Sequence, residues 1–386
     1  MSSAPSRGES ALWIGRFTEA TGIGWVATKS GVPSLAPHLF VAIVWGIETS
    51  GSVVSGTASA SPVWIASQSL ELAGLLLIAS TVTGLATKYG SVAEAITDHE
   101  PVADVDPAVL EGVDRFLRWL DGAVLAATWR SVDEWQRRPA PPRLRRALLA
   151  CGLLLHATYL FGLGNVEFVL SSLGPVEGGL SFFVIIPFVY YPLLAEFVAV
   201  VANVHLALPA RIRSDRLLDF GDVSGYGGLR PVGALIEASG HRYVIGLALY
   251  TLITITTGIQ VNASVDNAAL VAIDTLYLVA GTLVGAVLFF YPVLSLHRFM
   301  AHQKEARLGK IATRVSELEG NGRTFPDVEP ETPDSATRYM NQFMNMNVVK
   351  QMHEYPVRLQ QVTSIVTGLL LPYLLDYVAT YVLNSA

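Results

Sequence analysis

The chain has 386 residues, of which 51% are hydrophobic and only 15% are charged, and its mean hydropathy is +0.44. Soluble domains carry roughly 25% charged residues, so this composition, with apolar stretches of about 20 residues, indicates a protein of the lipid bilayer. The acidic net charge of −6 excludes nucleic acid as a main partner, because no basic stripe stands outside short membrane-flanking clusters. A single cysteine excludes a disulfide framework.

Seven stretches are apolar and long enough to cross a hydrocarbon core about 30 Å thick as helices. Helices are required because lipid cannot satisfy backbone polar groups, and no alternating pattern of a β-barrel is present. The sequence therefore predicts an all-α, polytopic protein with seven transmembrane helices. The predicted spans are 35–54, 63–85, 147–170, 180–207, 243–261, 269–296 and 361–383.

The basic residues indicate the orientation of these spans. All 26 lie in four segments: the N-terminal tail 1–34, the loops 86–146 and 208–242, and the region 297–360. The positive-inside rule makes these segments cytoplasmic. The sequence thus predicts a cell-membrane protein with its N-terminus in the cytoplasm and its C-terminus, after the last span at 361–386, outside.

Most of the soluble mass is predicted to be helical and cytoplasmic. Residues 107–136 have a helical apolar period, which favours packing on the protein's own spans or the membrane surface over a contact with another subunit. His297–Glu319 continues the sixth span as a charged helix. A second helix, 336–352, is rich in Met and Asn, which favours adaptable packing over a metal site. The first of these two helices carries a narrow apolar seam that predicts a contact between subunits, formed by Leu308, Ile311, Val315 and Leu318.

The sequence contains no motif of a known catalytic centre. It has no phosphate-binding glycine loop after a strand, no His-Glu-x-x-His pair, no nucleophile elbow and no zinc-type cysteine spacing. The Gly225–Gly228 segment lies in a predicted loop. We therefore predict that the protein is not an enzyme and uses no cofactor.

Several predicted spans contain ionisable side chains, which are costly in hydrocarbon and must face protein or water. Glu71, Glu196 and Asp274 are the deepest of them. No Lys or Arg lies within any predicted span. The sequence therefore predicts that these three carboxyls line a hydrophilic cavity or a polar network, with structural hydrogen bonding as the alternative.

The last span is the most polar one and combines hydroxyl, apolar and acidic side chains. A water-filled path with an acidic site near its outer mouth and an apolar constriction below it would suit this pattern. The alternative is a belt of tyrosines at the membrane interface, with the one Asp held by structural hydrogen bonds. The predicted pore-lining residues are Ser364, Thr367, Leu370, Leu371, Tyr373, Asp376, Tyr377, Thr380 and Tyr381.

This arrangement resembles the seven-transmembrane ion channel superfamily that includes insect odorant and gustatory receptors. The shared features are the cytoplasmic N-terminus, the sixth span that runs on into a cytoplasmic helix, and the short helix before a polar last span. Thr380-Tyr381 matches the start of that family's terminal motif, although no Gln-Phe follows it. The resemblance implies a tetrameric cation channel whose pore is lined by Ser364–Tyr381. It also implies a central cytoplasmic anchor built from 297–319 and 336–352.

Three classes of function therefore follow from the sequence. The first is a homo-oligomeric channel that conducts inorganic cations and opens in response to a small-molecule ligand. The second is a proton- or cation-coupled transporter that uses Glu71, Glu196 and Asp274. The third is a membrane scaffold or sensor without transport. In each class the lipid bilayer is a partner. The channel also requires further copies of the chain.

Overall fold

The computed structural model of the chain describes most of its length. In the residues that it describes, all regular secondary structure is helical, which confirms the predicted all-α class. The described residues are 12–56, 61–97, 140–162, 164–215, 218–222, 224–262, 268–319, 333–357 and 359–385.

Within the described ranges the chain forms twelve α-helices. In chain order they are α1 (Trp13–Ala20), α2 (Ile23–Lys29), α3 (Ala36–Ser55), α4 (Pro62–Thr97), α5 (Pro142–Ala157), α6 (Val166–Leu180), α7 (Tyr191–Ala202), α8 (Leu208–Asp215), α9 (Arg230–Asn262), α10 (Ala268–Glu319), α11 (Pro333–Gln351) and α12 (Leu359–Ser385). Wider π-helical segments, Ser181–Tyr190 and Asn203–Ala207, join α6 to α7 and α7 to α8. Pro187 lies inside the first of them, where its missing N–H interrupts the regular α-helical hydrogen bonding.

Six helical stretches of the described residues are long and apolar enough to cross a membrane. They fit a multi-pass membrane protein, as predicted. The fifth predicted span, 243–261, lies within α9, but the side chains of residues 256–277 are not among those described. A count of seven spans and the orientation therefore stay predictions. The six stretches are Pro33–Ser55, Pro62–Val92, Pro142–Gly162, Gly174–Arg213, Leu278–Ser316 and Gln360–Val378.

The third and fourth spans have different ends from those predicted. The third was predicted to reach residue 170, but its helix ends by Gly162 and Gly164 follows with a φ of +69°. A second break lies inside α6 at Gly174, where φ is 76° and ψ is 156°, directly before Pro175. The fourth span therefore begins at Gly174 rather than at 180. The break at Gly164 was not predicted, whereas Gly174 lies in the connection between the predicted third and fourth spans, 147–170 and 180–207.

The predicted cytoplasmic helices are present where the structure describes them. α10 runs for 52 residues, so the sixth span and the charged helix that follows it form one continuous helix, as predicted. α11 agrees with the helix predicted at 336–352. The amphipathic helix predicted at 107–136 lies outside the described residues.

The last helix, α12, packs against α9 and α10. Glycines allow a close approach: a Cβ at Gly368 would lie 2.7 Å from Val244 Cγ1, and a Cβ at Gly240 would lie 2.8 Å from Ile365 Cδ1. Small residues at such crossings are typical of membrane helix pairs, where close backbone contact replaces the hydrophobic driving force. One side of α12 is thereby fixed on the bundle.

Candidate functional site

The side of α12 that faces away from α9 and α10 is uncovered in the single chain. Ile365, Leu369 and Pro372 are buried, and the side chains opposite them are exposed, with Tyr377 at 71%. We call this surface the open face of α12. It consists of Thr367, Leu370, Leu371, Leu374, Tyr377 and Val378. Four of the predicted pore-lining residues therefore share one uncovered surface, whereas Ser364 lies at its edge with its Oγ 3.3 Å from His241 Nε2 of α9.

Tyr373 and Asp376 lie on a different side of α12. Asp376 continues the spacing of the buried Leu369 and Pro372, which places it toward α9 and α10, although its own side chain is exposed. Tyr373 is half-buried. The face predicted to carry Tyr373, Asp376, Tyr377 and Thr380 together is thus divided. The side chains of Thr380 and Tyr381 lie outside the described residues.

Glu71 lies beside a second carboxyl and a tyrosine hydroxyl. Tyr190 Oη is 3.0 Å from Glu71 Oε1 and also contacts Glu48 Oε2. A phenolic hydroxyl carries one proton, so simultaneous hydrogen bonds to two carboxyls require a second proton, held by one of the carboxyls. Close by, the Ser52 hydroxyl donates to Glu177 Oε1 at 2.7 Å. Glu71 therefore belongs to a polar network that can hold a proton.

Glu196 has partners that the sequence did not predict. Its carboxylate is fully buried and lies 3.3 Å from Arg145 Nη1. It also accepts hydrogen bonds from the backbone N–H groups of Trp13 at 2.5 Å and Ile14 at 3.2 Å. The expectation that no Lys or Arg would neutralise this carboxyl is wrong, because Arg145 lies just before the predicted third span and reaches Glu196 from there. The side chain of Asp274 lies outside the described residues.

The apolar seam of α10 is partly covered within the chain. Ile311 is only 2% exposed, because α11 packs along α10. The prediction that Ile311 faces another subunit is therefore wrong for this residue. Leu308 and Val315 are partly exposed, and the side chain of Leu318 lies outside the described residues.

A second apolar stripe lies on the far side of α11. Met340, Met344 and Val348 follow one another at spacings of four and are all more than half exposed, whereas Val349 is buried. We call these three residues the α11 stripe. The methionine-rich composition of 336–352 indicates apolar packing by this helix. Composition alone does not tell which side of the helix is covered.

A short linker, residues 352–357, connects α11 to α12. The backbone N–H of His353 donates to the Gly225 carbonyl at 2.9 Å. Lys304 Nζ, on α10, donates to Glu354 Oε1 at 3.0 Å. The linker is therefore bound both to the loop before α9 and to the part of α10 that follows the predicted sixth span, so the start of α12 is fixed by contacts outside it.

The glycine-rich loop that receives this linker is held by Asp222. Asp222 Oδ2 accepts hydrogen bonds from the Ser224 hydroxyl at 2.6 Å and from the Gly228 N–H at 2.7 Å. Partial burial acts to raise the pKa of the Asp222 carboxyl, but these hydrogen bonds outweigh it and hold the pKa below its ordinary value. The Gly225–Gly228 segment thus forms a structural support for the linker.

Two features of the described residues bear on function: the carboxyl groups around Tyr190, which can hold a proton, and the open face of α12. Within the described ranges, no group of three or more His, Cys, Asp or Glu side chains is placed to hold a metal ion. The carboxyls at Glu71 and Glu196 are engaged with a tyrosine and an arginine respectively. No protein-family model, curated protein or solved structure matches the chain.

Proposed function

We propose that this protein is a homo-oligomeric cation channel whose pore is lined by the open face of α12. This face supports the proposal because it belongs to a candidate spanning helix, is uncovered in the single chain and includes the hydroxyl of Thr367. Around an axis of identical subunits, this hydroxyl would meet water and ions rather than lipid. Leu370 and Leu371, one turn further along, would form an apolar constriction.

The number and orientation of the subunits are part of the same proposal. The resemblance to the seven-transmembrane ion channel superfamily supports a tetramer with its N-terminus in the cytoplasm and its C-terminus outside. In this orientation α11 lies in the cytoplasm, where an exposed apolar stripe normally marks a protein interface. We therefore assign the contact between subunits to the α11 stripe, with the exposed parts of Leu308 and Val315 beside it. A small-molecule ligand is the proposed opening stimulus.

Met344→Asp is expected to dissociate the oligomer, because it would place a charge in the centre of an apolar contact between subunits. The mass of the purified protein in detergent, measured by mass photometry, should fall to that of a smaller species. Asn345→Asp is the matched control, since it adds the same charge to an exposed polar position on the same helix. Unchanged mass for Met344→Asp would remove the α11 stripe from the subunit contact.

Asp376→Asn is expected to reduce unitary cation current by about twofold or more, because the exposed carboxylates of Asp376, which lie beside the open face and not on it, would together create a negative field at the outer mouth that concentrates cations there. Leu370→Ser should instead increase leak current by opening the apolar constriction. Planar-bilayer recordings of purified protein measure both effects. Glu167→Gln, which removes an exposed carboxylate from α6, should leave the current unchanged. Anion-selective openings would contradict the role given to Asp376.

The Glu48–Tyr190–Glu71 group favours a second candidate function, a proton- or cation-coupled transporter. Its hydrogen bonds require a proton on one carboxyl, and a group that holds a proton inside a membrane can couple its release to substrate movement. In this case Glu71→Gln would abolish ion-driven flux into proteoliposomes, whereas Asp376→Asn would do little. Single-channel openings that persist in Glu71→Gln would exclude the transporter.

A further inference from the structure

The N-terminal segment before the first span is folded onto the helical bundle. It forms α1 and α2, and glycines with positive φ, Gly22 at 76° and Gly31 at 78°, end or begin these helices and let the chain turn. Ile14 of α1 is fully buried, and the ring of Phe17 lies 5.0 Å from that of Phe40 on α3. The position of this segment is therefore fixed relative to the first span.

The outward side of the segment is apolar. Trp25 of α2 is 63% exposed and Val26 is 51% exposed. Two more exposed apolar side chains, Val32 and Leu35, follow on the way to α3. Large apolar side chains that face water next to one another normally mark a surface that is covered by a partner.

This apolar surface continues into the lipid-facing side of the first span. Leu39, Ile43 and Ile47 follow at spacings of four along α3 and are all exposed, as expected for the side of a spanning helix that contacts acyl chains. Leu35, at the start of the span, precedes Leu39 by one helical turn, and the exposed Val32 lies just before the span, so the exposed residues of the tail extend the same surface beyond it. Because acyl chains would cover this surface along α3, we expect lipid also to cover its continuation in the tail.

The polar groups of α2 suit the region of the lipid headgroups. Lys29 Nζ lies 4.4 Å from the centre of the Trp25 ring, and Arg16 of α1 is exposed. Tryptophan prefers the boundary between acyl chains and headgroups, and lysine extends its ammonium group from there toward anionic phosphates. The segment therefore combines an apolar surface with cationic side chains.

We propose that residues 23–35 form an interfacial anchor that binds the surface of the bilayer, with Trp25 and Val26 inserted among the lipids at the membrane face where the first span begins. α1 fixes this anchor to the bundle through the carboxylate of Glu196. The tail is thus a membrane-bound element and not a water-exposed extension. This holds whether the protein conducts ions, transports a substrate or does neither.

The test measures the contact of single positions with acyl chains. The full chain carries Cys151→Ala, which removes an exposed cysteine, and one new cysteine, Trp25→Cys or Val26→Cys, labelled with an environment-sensitive fluorophore. The probe is a proteoliposome of phosphatidylcholine and phosphatidylglycerol whose phosphatidylcholine has brominated acyl chains. We expect bromine to quench positions 25 and 26 at least about twofold more than position 28, the exposed polar Thr28 of the same helix, and to an extent comparable with Leu39→Cys.

Two results would overturn the proposal. Quenching of positions 25 and 26 by aqueous iodide, without loss of emission in brominated lipid, would show that the segment faces water. Protection from both quenchers would show that protein, such as a second copy of the chain, covers it. Val26→Cys retains Trp25 and its contact with Lys29, so it reports on the anchor even if Trp25→Cys alters the fold.

Discussion

Glu196→Ala is expected to lower the free energy of unfolding by about 3 kcal/mol or more and to release α1 from the bundle. The buried carboxylate accepts hydrogen bonds from the N–H groups of Trp13 and Ile14 and pairs with Arg145. Alanine would remove the acceptor of both N–H groups, and a buried donor without an acceptor costs about 1–3 kcal/mol. The guanidinium of Arg145 is 22% exposed, so water compensates part of its loss.

Thermal unfolding of the purified protein in detergent measures this effect, which should appear as a drop in Tm of about 5 °C or more. Glu19→Ala is the matched control, since it removes an exposed carboxylate from α1 and should leave Tm nearly unchanged. Glu196→Gln keeps a carbonyl acceptor and should be milder. If Glu196→Ala unfolds at the wild-type temperature but loses ion-driven flux, the carboxyl has a transport role instead.

Gly233→Ala is expected to destabilise the junction between α9 and the linker 352–357. A Cβ at this position would lie 2.0 Å from the carbonyl oxygen of Pro356, far closer than van der Waals contact allows. Because the obstacle is backbone rather than the end of a flexible side chain, either α9 or the linker must move. Overpacking of this kind costs about 1–3 kcal/mol or more, and movement of the linker would displace the start of α12.

The same detergent assay, combined with bilayer recordings, tests this expectation. Gly309→Ala is the control, because a Cβ there meets no atom within 4 Å and alanine favours the helix by up to about 1 kcal/mol. For the channel that we propose, Gly233→Ala should also change how often the pore opens, since the linker leads directly into the lining helix. Equal Tm values for the two glycine variants would show that the junction adapts without cost.

The sequence predicted the membrane class and most of the helices correctly. The first and last spans begin and end within a few residues of the helices observed, at Pro33–Ser55 and Leu359–Ser385. Hydropathy succeeds here because a helix in lipid must be apolar over its whole length, and this requirement does not depend on which helices lie beside it. It failed at Gly164, where the backbone turns inside the predicted third span.

The predictions about individual polar residues depended on neighbours that the sequence does not specify. Glu71 and Glu196 were treated alike, as buried carboxyls without a basic partner. In the structure the first shares a tyrosine with Glu48, and the second is neutralised by Arg145. Similarly, the seam residue Ile311 was assigned to a subunit contact and is instead covered by α11.

By itself, then, the sequence determined which segments form helices long and apolar enough to cross a membrane and which of them continue as charged helices, because hydropathy and helical periodicity belong to contiguous residues. Tertiary structure alone decided which side of each helix is covered and which charge finds a partner. Trp13 and Glu196 are 183 residues apart in the chain, and Gly233 and Pro356 meet only because α9 and the linker cross. Such contacts arise from the packing of helices that are distant in the chain. The sequence of one helix does not by itself specify which helix packs beside it.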